Sequence, residues 1–223
     1  MYSLKYQDKP IVILMNGKSG IGKTETAKTM CSCLGAEPTR IQFSMYQNNE
    51  AYNYIFGGEY SKQSLTRDLI RRETNIIHID EFDKVNSVFF NAFYQMFDEG
   101  IFMDKNYTVD VSKCIFLCTS NFKDIAEIKR VLGEPLYSRF DYIVEFKDLS
   151  IENRKKIAEN TFRSIVSLLG RNDQKIINKS NLLNRINTSI EAGNYSNIRT
   201  LKKDVQLLIN MKLIEVHNLF GDN

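Results

Sequence analysis

Residues 17–24 read Gly-Lys-Ser-Gly-Ile-Gly-Lys-Thr, filling every fixed position of the phosphate-binding pattern G-x-x-x-x-G-K-[ST]. Gly17, Gly20 and Gly22 let the backbone curl, so that the N–H groups of this run, through Lys18, Ser19 and Ile21, point inward at phosphate oxygens. Lys23 is the cation for the β- and γ-phosphates, and the Thr24 hydroxyl is a ligand for Mg²⁺. A helix opening near Lys23, with Glu25 in its first turn, adds the positive end of its dipole. The second half of such a site is an acidic pair ending a buried strand, and Ile76-Ile77-His78-Ile79-Asp80-Glu81 supplies it. Asp80 would hold Mg²⁺ directly or through water, and Glu81 would orient and polarise the attacking water. ATP and Mg²⁺ are therefore the expected ligands, and ATP hydrolysis the expected reaction. His78 is read as a packed core residue rather than a switch.

The elements around these residues alternate. Residues 11–15, 41–43, 76–79, 115–118 and 142–146 are short apolar runs that read as buried parallel strands. Helices are expected at 23–34, 64–72 and 87–98; the last carries Val88, Phe89, Ala92, Phe93, Met96 and Phe97 at helical spacing, a core-facing stripe. Residues 46–63 are rich in Tyr, Asn and Gly and read as a long loop. Strands alternating with helices give an α/β fold: a three-layer αβα parallel sheet of about five strands. Beyond Ser150 the strand signal stops, and helices are expected at 151–169, 179–192 and 197–216. The expected division is a large ATP-binding subdomain, residues 1–148, and a small helical lid, residues 149–223.

The bulk numbers set bounds. The 223 residues, 43% hydrophobic and 26% charged, suit one large domain or one domain with an appendage. Net charge is +3, well short of a dedicated nucleic-acid binder. The excess lies in residues 148–223, with twelve Lys and Arg against eight Asp and Glu, a pattern that suits a solvated helical surface. No apolar run approaches the ~20 residues that span a membrane, and the first ten residues carry no signal-peptide pattern. Cys31, Cys33, Cys114 and Cys118 lack the spacing of zinc-ribbon pairs and read as buried reduced thiols, which points to a cytoplasmic setting.

From residue 11 to about 205 the chain resembles the AAA+ ATPases, and within them the second ATPase module of the Clp-type unfoldases and disaggregases. The likeness extends past the phosphate loop through Ser64-Leu65-Thr66, Asn91, Gln95, Asp98-Glu99-Gly100, Asp104, Val109-Asp110 and Thr119-Ser120-Asn121. It implies that Asn121 is the sensor 1 side chain, placing the catalytic water. It implies that Arg139, in Pro135-Leu136-Tyr137-Ser138-Arg139-Phe140-Asp141, is an arginine finger reaching a neighbouring subunit's site; on its own Arg139 would be a structural Arg near a strand. Arg199, in Asn197-Ile198-Arg199, takes the sensor 2 position, with Asn-Ile in place of the family's Gly-Ala. Ile55-Phe56-Gly57-Gly58 falls at the pore loop, where Phe56 would grip a polypeptide; two of its four positions depart from the family pattern, and an aromatic loop can also pack on the core.

The resemblance implies a homo-oligomer, a hexamer formed on ATP binding, and a polypeptide substrate or a separate adaptor protein. The family's adaptor domain, first ATPase module and middle domain are not in this sequence. The segment between Asn121 and Pro135 holds no Ile-Gly-Phe or Ile-Gly-Leu tripeptide, so docking on the Clp peptidase is not expected. Two other functions stay open at this stage. One is a small helicase loader or transposition helper acting on nucleic-acid complexes, which the run from Ser64 to Asn121 argues against. The other is a nucleotide-dependent regulator with little turnover, which the set Lys23, Thr24, Asp80, Glu81, Asn121 and Arg139 argues against.

Overall fold

A computed structural model describes residues 8–33, 35, 37–42, 49–59, 63–195 and 197–217. It divides into two compact units, residues 1–18 with 22–146 and residues 19–21 with 147–223.

The first unit is built on five parallel strands: β1 (Ile11–Asn16), β2 (Thr39–Gln42), β3 (Ile76–Asp80), β6 (Ile115–Ser120) and β7 (Tyr142–Glu145). Their order is β2-β3-β6-β1-β7, which puts β3 and β6 side by side and β6 beside β1. Alternation along the strands sorts side chains to two faces. Val12, Leu14, Ile77, Ile79, Phe116 and Cys118 join one large core with α3 (Leu65–Ile70), α4 (Phe90–Asp98) and α5 (Ile125–Tyr137). Met15, Ile76 and Leu117 point the other way and pack on Ala27 and Cys31 of α1 (Lys23–Cys33). Helices on both faces complete the three layers, and apolar burial on both faces is why these strands read as unbroken hydrophobic runs.

Four features differ from the sequence reading. Within the expected loop 46–63 lies a helix, α2 (Asn49–Phe56), which buries Ala51, Tyr54 and Ile55. Residues 101–110 form a hairpin of β4 (Ile101–Met103) and β5 (Thr108–Asp110). Helix α5 follows Asn121, and Gly133 (φ 72°) interrupts it before Pro135. Cys31, Cys114 and Cys118 are buried, but Cys33 is exposed on the outer side of α1. Leu34, Phe43, residues 46–48 and residues 60–62, which bear on the first helix, the second strand and the loop, lie outside the described residues.

The second unit is helical: α6 (Ile151–Ser167), α7 (Arg171–Lys179), α8 (Leu182–Glu191) and α9 (Ile198–His217). Its core comes from stripes at four-residue spacing. Ala158, Phe162 and Val166 lie on α6, Leu182, Ile186 and Ile190 on α8, and Leu201, Val205 and Ile209 on α9. Ser150 caps α6 by accepting the Asn153 N–H at 3.2 Å. Helix α7 was not anticipated, and the expected helix 179–192 begins only at Leu182. No helix among the described residues is long and apolar enough to cross a membrane.

Candidate functional site

Strands β1, β3 and β6 are parallel neighbours, so their C-terminal ends open on one edge of the sheet. The chain leaves β1 into residues 17–22, leaves β3 at Asp80-Glu81 and leaves β6 at Asn121. Adjacency of strands thus gathers residues that lie about a hundred positions apart. The ends of β1 and β6 are tied together. Asn16 donates its side-chain amide to the Phe122 carbonyl at 3.1 Å, and the Ser120 hydroxyl donates to Asn16 Oδ1 at 2.9 Å.

The phosphate loop has the expected backbone. Gly17 and Gly22 sit at φ 150° and 108°, where an L side chain would be strained. Lys23 begins α1 and is 7% exposed. Its ammonium folds over the loop and donates to the carbonyls of Gly17 and Lys18 (2.7 Å for the latter) and to Asn121 Oδ1 at 3.0 Å. Burial draws its pKa below the ordinary lysine value, and the charges of Asp83 and Asp80 oppose that. Thr24 is half-buried in the first turn of α1, and Glu25 is exposed, 3.6 Å from Lys28.

Asp80 ends β3 and is 8% exposed. Its Oδ1 accepts the Thr119 hydroxyl at 2.6 Å, and its Oδ2 accepts Arg40 Nη2 at 2.6 Å. Burial alone would raise its pKa; the hydrogen bonds from Thr119 and Arg40 outweigh burial and hold the carboxyl below its ordinary range. Glu81 is the one non-glycine in left-handed backbone among the described residues (φ 58°, ψ 49°). Such conformations cost about 1–3 kcal/mol and gather at functional sites. The Glu81 N–H donates to Thr119 Oγ1 at 3.1 Å, so one hydroxyl steadies both acidic residues. His78 is 1% exposed and points to the α1 face. Its Nε2 is 3.9 Å from Asp80 Oδ1, beyond hydrogen-bond reach, and burial lowers its pKa against the opposing charge of Asp80.

Asn121 lies between two groups of opposite character. Its backbone N–H and its Nδ2 both donate to Asp83 Oδ1, at 3.1 and 3.3 Å, while its Oδ1 faces Lys23. Thr119 thus joins Asp80 to Glu81, and Asn121 joins Asp83 to Lys23. Arg40, Thr119 and Asp83 escaped the sequence reading as site residues; Thr119 stood beside Asn121 in the Thr-Ser-Asn run, but the partnerships depend on strand order.

Within the first unit, Arg139 and Phe56 lie outside this group. Arg139 follows α5 and is held within its own unit. It pairs with Asp98 Oδ2 at 2.5 Å, donates to the Pro135 carbonyl and lies 4.8 Å over the Tyr94 ring. Phe56 ends α2 half-buried, 4.9 Å from the Tyr52 ring and 6.0 Å from Phe89, rather than sitting in an open loop. Arg199 belongs to the second unit, exposed in the first turn of α9, where its N–H donates to Asn197 Oδ1 at 2.7 Å. Ser19–Ile21 group with that unit by their contacts, and the Ile198 N–H donates to the Gly20 carbonyl at 3.1 Å.

Residues 8–187 match the AAA domain (Cdc48 subfamily) family. The chain belongs to this family. It is a Clp-type AAA+ ATPase module. Chaperone protein ClpB of Staphylococcus epidermidis is 31% identical over 188 residues, 70% of this chain and 22% of that protein. ClpB of Clostridium perfringens is 29% identical over 197 residues, 74% of this chain and 23% of that protein. The chain therefore spans less than a quarter of the length of these relatives. A cryo-EM structure described as the closed state of Hsp104 with ATPγS and FITC casein shares the fold, with a TM-score of 0.77 at 23% identity over 95% of this chain and 42% of that one.

Proposed function

We propose that the module hydrolyses ATP with Mg²⁺ at a site completed by a second copy of the chain, and that this turnover drives the remodelling of a polypeptide. The observation that carries the reading is the convergence of Lys23, Asp80, Glu81 and Asn121 at the ends of three adjacent strands. Lys23 and the loop N–H groups take the phosphates. Glu81, held at a strained backbone angle, accepts the hydrogen bond of the attacking water. Asn121 helps to place that water, and Arg199 takes the sensor 2 role that the family resemblance implies.

The donor set fits Mg²⁺. Thr24 and Asp80 offer two oxygen ligands, one hydroxyl and one carboxylate. That suits an ion that keeps most of its waters and is shared with phosphates. When bound, it neutralises charge on the phosphates.

The remaining parts rest on likeness to ClpB and to the Hsp104 structure. The assembly is a hexameric ring in the cytoplasm, Arg139 is the finger supplied in trans, and Phe56 bears on a polypeptide or on an adaptor-delivered segment. To act as a finger Arg139 must exchange its contacts with Asp98, Pro135 and Tyr94 for a neighbour's phosphates. The Arg139 side chain is only 22% exposed, so the exchange means giving up a partly buried ion pair and a cation–π contact worth about 0.5–1 kcal/mol or more. A finger contributes about 10³–10⁵ in rate.

The deciding experiment is Glu81→Gln. It is expected to keep ATP affinity within about threefold while turnover falls by about 10² or more. Unchanged turnover would remove Glu81 from its role. A fluorescent unfolded polypeptide should bind and stimulate turnover, and stimulation should be lost in Phe56→Ala. Stimulation by DNA instead of polypeptide would reject the remodelling function.

A further inference from the structure

We propose that Asp83 is a positioning residue for hydrolysis, which takes both N–H groups of Asn121 and turns that side chain so that its oxygen faces Lys23 and the phosphate loop. The inference rests on the reading of Asn121 given above and adds the group that sets its orientation.

A terminal amide has nearly the same shape either way round, so its partners decide which end points where. Here the partners leave one solution. A carboxylate can only accept and an ammonium can only donate. Asp83 Oδ1 stands 3.3 Å from Asn121 Nδ2, and Lys23 Nζ stands 3.0 Å from Asn121 Oδ1. Turning the amide over would set its N–H groups against the ammonium and its oxygen against the carboxylate, replacing two attractions by two repulsions.

Asp83 is built for this task. Its side chain is only 8% exposed, so its charge is weakly screened. Its two oxygens have separate partners: Oδ1 takes Asn121, and Oδ2 lies 3.3 Å from Lys84. Its position follows from the left-handed turn at Glu81 and the 3₁₀ turn Phe82–Lys84. Phe82 anchors that turn in the core against Phe93, Phe97 and Phe140, with ring centroids 5.1–6.4 Å apart. Asp83 is thereby fixed to the same turn as Glu81. The residue that activates water and the residue that orients the sensor move as one piece. When Lys23 turns to the phosphates of a bound nucleotide, Asp83 still holds the amide, and the Asn121 oxygen is presented as an acceptor for the attacking water.

The test is a double-mutant cycle of Asp83→Ala and Asn121→Ala, read as kcat at saturating ATP and as Kd for a fluorescent ATP analogue. Asp83→Ala is expected to lower kcat about 10- to 100-fold, the size of a small misplacement near the reacting atoms, with Kd changed less than threefold. The double variant is expected to be no slower than Asn121→Ala alone. Asp83→Asn, which keeps an oxygen for the Asn121 N–H groups, is expected to recover at least a third of the lost rate and guards against a folding defect in Asp83→Ala. Losses that multiply in the double variant, or a kcat unchanged with a raised Kd, would overturn the role of Asp83 and leave that of Asn121 standing. Full turnover in Asn121→Ala would overturn both.

Discussion

At the residue scale the site depends on single atoms with two tasks. Thr119 Oγ1 donates to Asp80 and accepts from the Glu81 N–H, so it secures both the proposed metal ligand and the residue proposed to polarise water. Thr119→Val keeps the shape and removes both bonds. It is expected to lower kcat at least tenfold and to cost about 1–3 kcal/mol of stability, because Asp80 is left with an unpaired buried oxygen. Steady-state kinetics and urea unfolding of the same preparation check both. The Lys23 and Asp80 partnerships could not be read from spacing, since Arg40, Thr119 and Asp83 meet them only because β2, β3 and β6 are neighbours. The phosphate loop could be read, because its geometry is local and its glycines are required by φ values that other residues avoid.

Among the elements, the hairpin β4–β5 is the piece least visible in the sequence. Three-residue strands with one buried position each, Phe102 and Val109, give no period to detect. Its stability rests on Asp104, which accepts the N–H groups of Asn106 and Tyr107 at 2.7 and 2.8 Å and the hydroxyl of Ser64, the N-cap of α3, at 2.8 Å. Burial pushes the Asp104 pKa up, but these hydrogen bonds outweigh it and hold the carboxyl below its ordinary range. The folded state therefore favours the ionised form. The resulting stability is full above the ordinary carboxylate pKa near 3.8 and is lost as pH falls through the depressed value. Asp104→Asn is expected to cost about 1.5–3 kcal/mol at pH 7 and to flatten the fall in stability below pH 4, as read from urea midpoints. A pH profile parallel to the wild type would contradict this. Strands β1, β3 and β6, by contrast, were legible as apolar runs buried on both faces; the edge strands differ, since β2 buries only Ile41 and β7, expected as a buried strand, leaves Tyr142 and Val144 exposed. Helix α2 was hidden by its Tyr and Asn content, although Ala51, Tyr54 and Ile55 carry the i, i+3, i+4 spacing of a buried face. Helix α5 was obscured by Gly133 and Pro135, which read as breakers and do interrupt it.

On the scale of the whole molecule, Lys23, Asp80, Glu81 and Asn121 lie within one unit, whereas Arg139 is engaged with Asp98 and Tyr94 of its own chain. Family membership follows from residues 8–187, but the chain covers under a quarter of its ClpB relatives, so the assembled activity must be tested on this chain itself. If Arg139 completes a neighbour's site, a defect in Glu81 and a defect in Arg139 fall on different subunits and can complement. Glu81→Gln and Arg139→Ala are each expected to be nearly inactive. Mixed before ATP is added, they form interfaces in which an intact Glu81 faces an intact Arg139. The measurement is ATP turnover of the mixture across mixing ratios at fixed total protein: the expected result is a maximum at intermediate ratios, at least about tenfold above either parent. A rate that follows the weighted sum of the two parents at every ratio would contradict hydrolysis at a shared subunit interface.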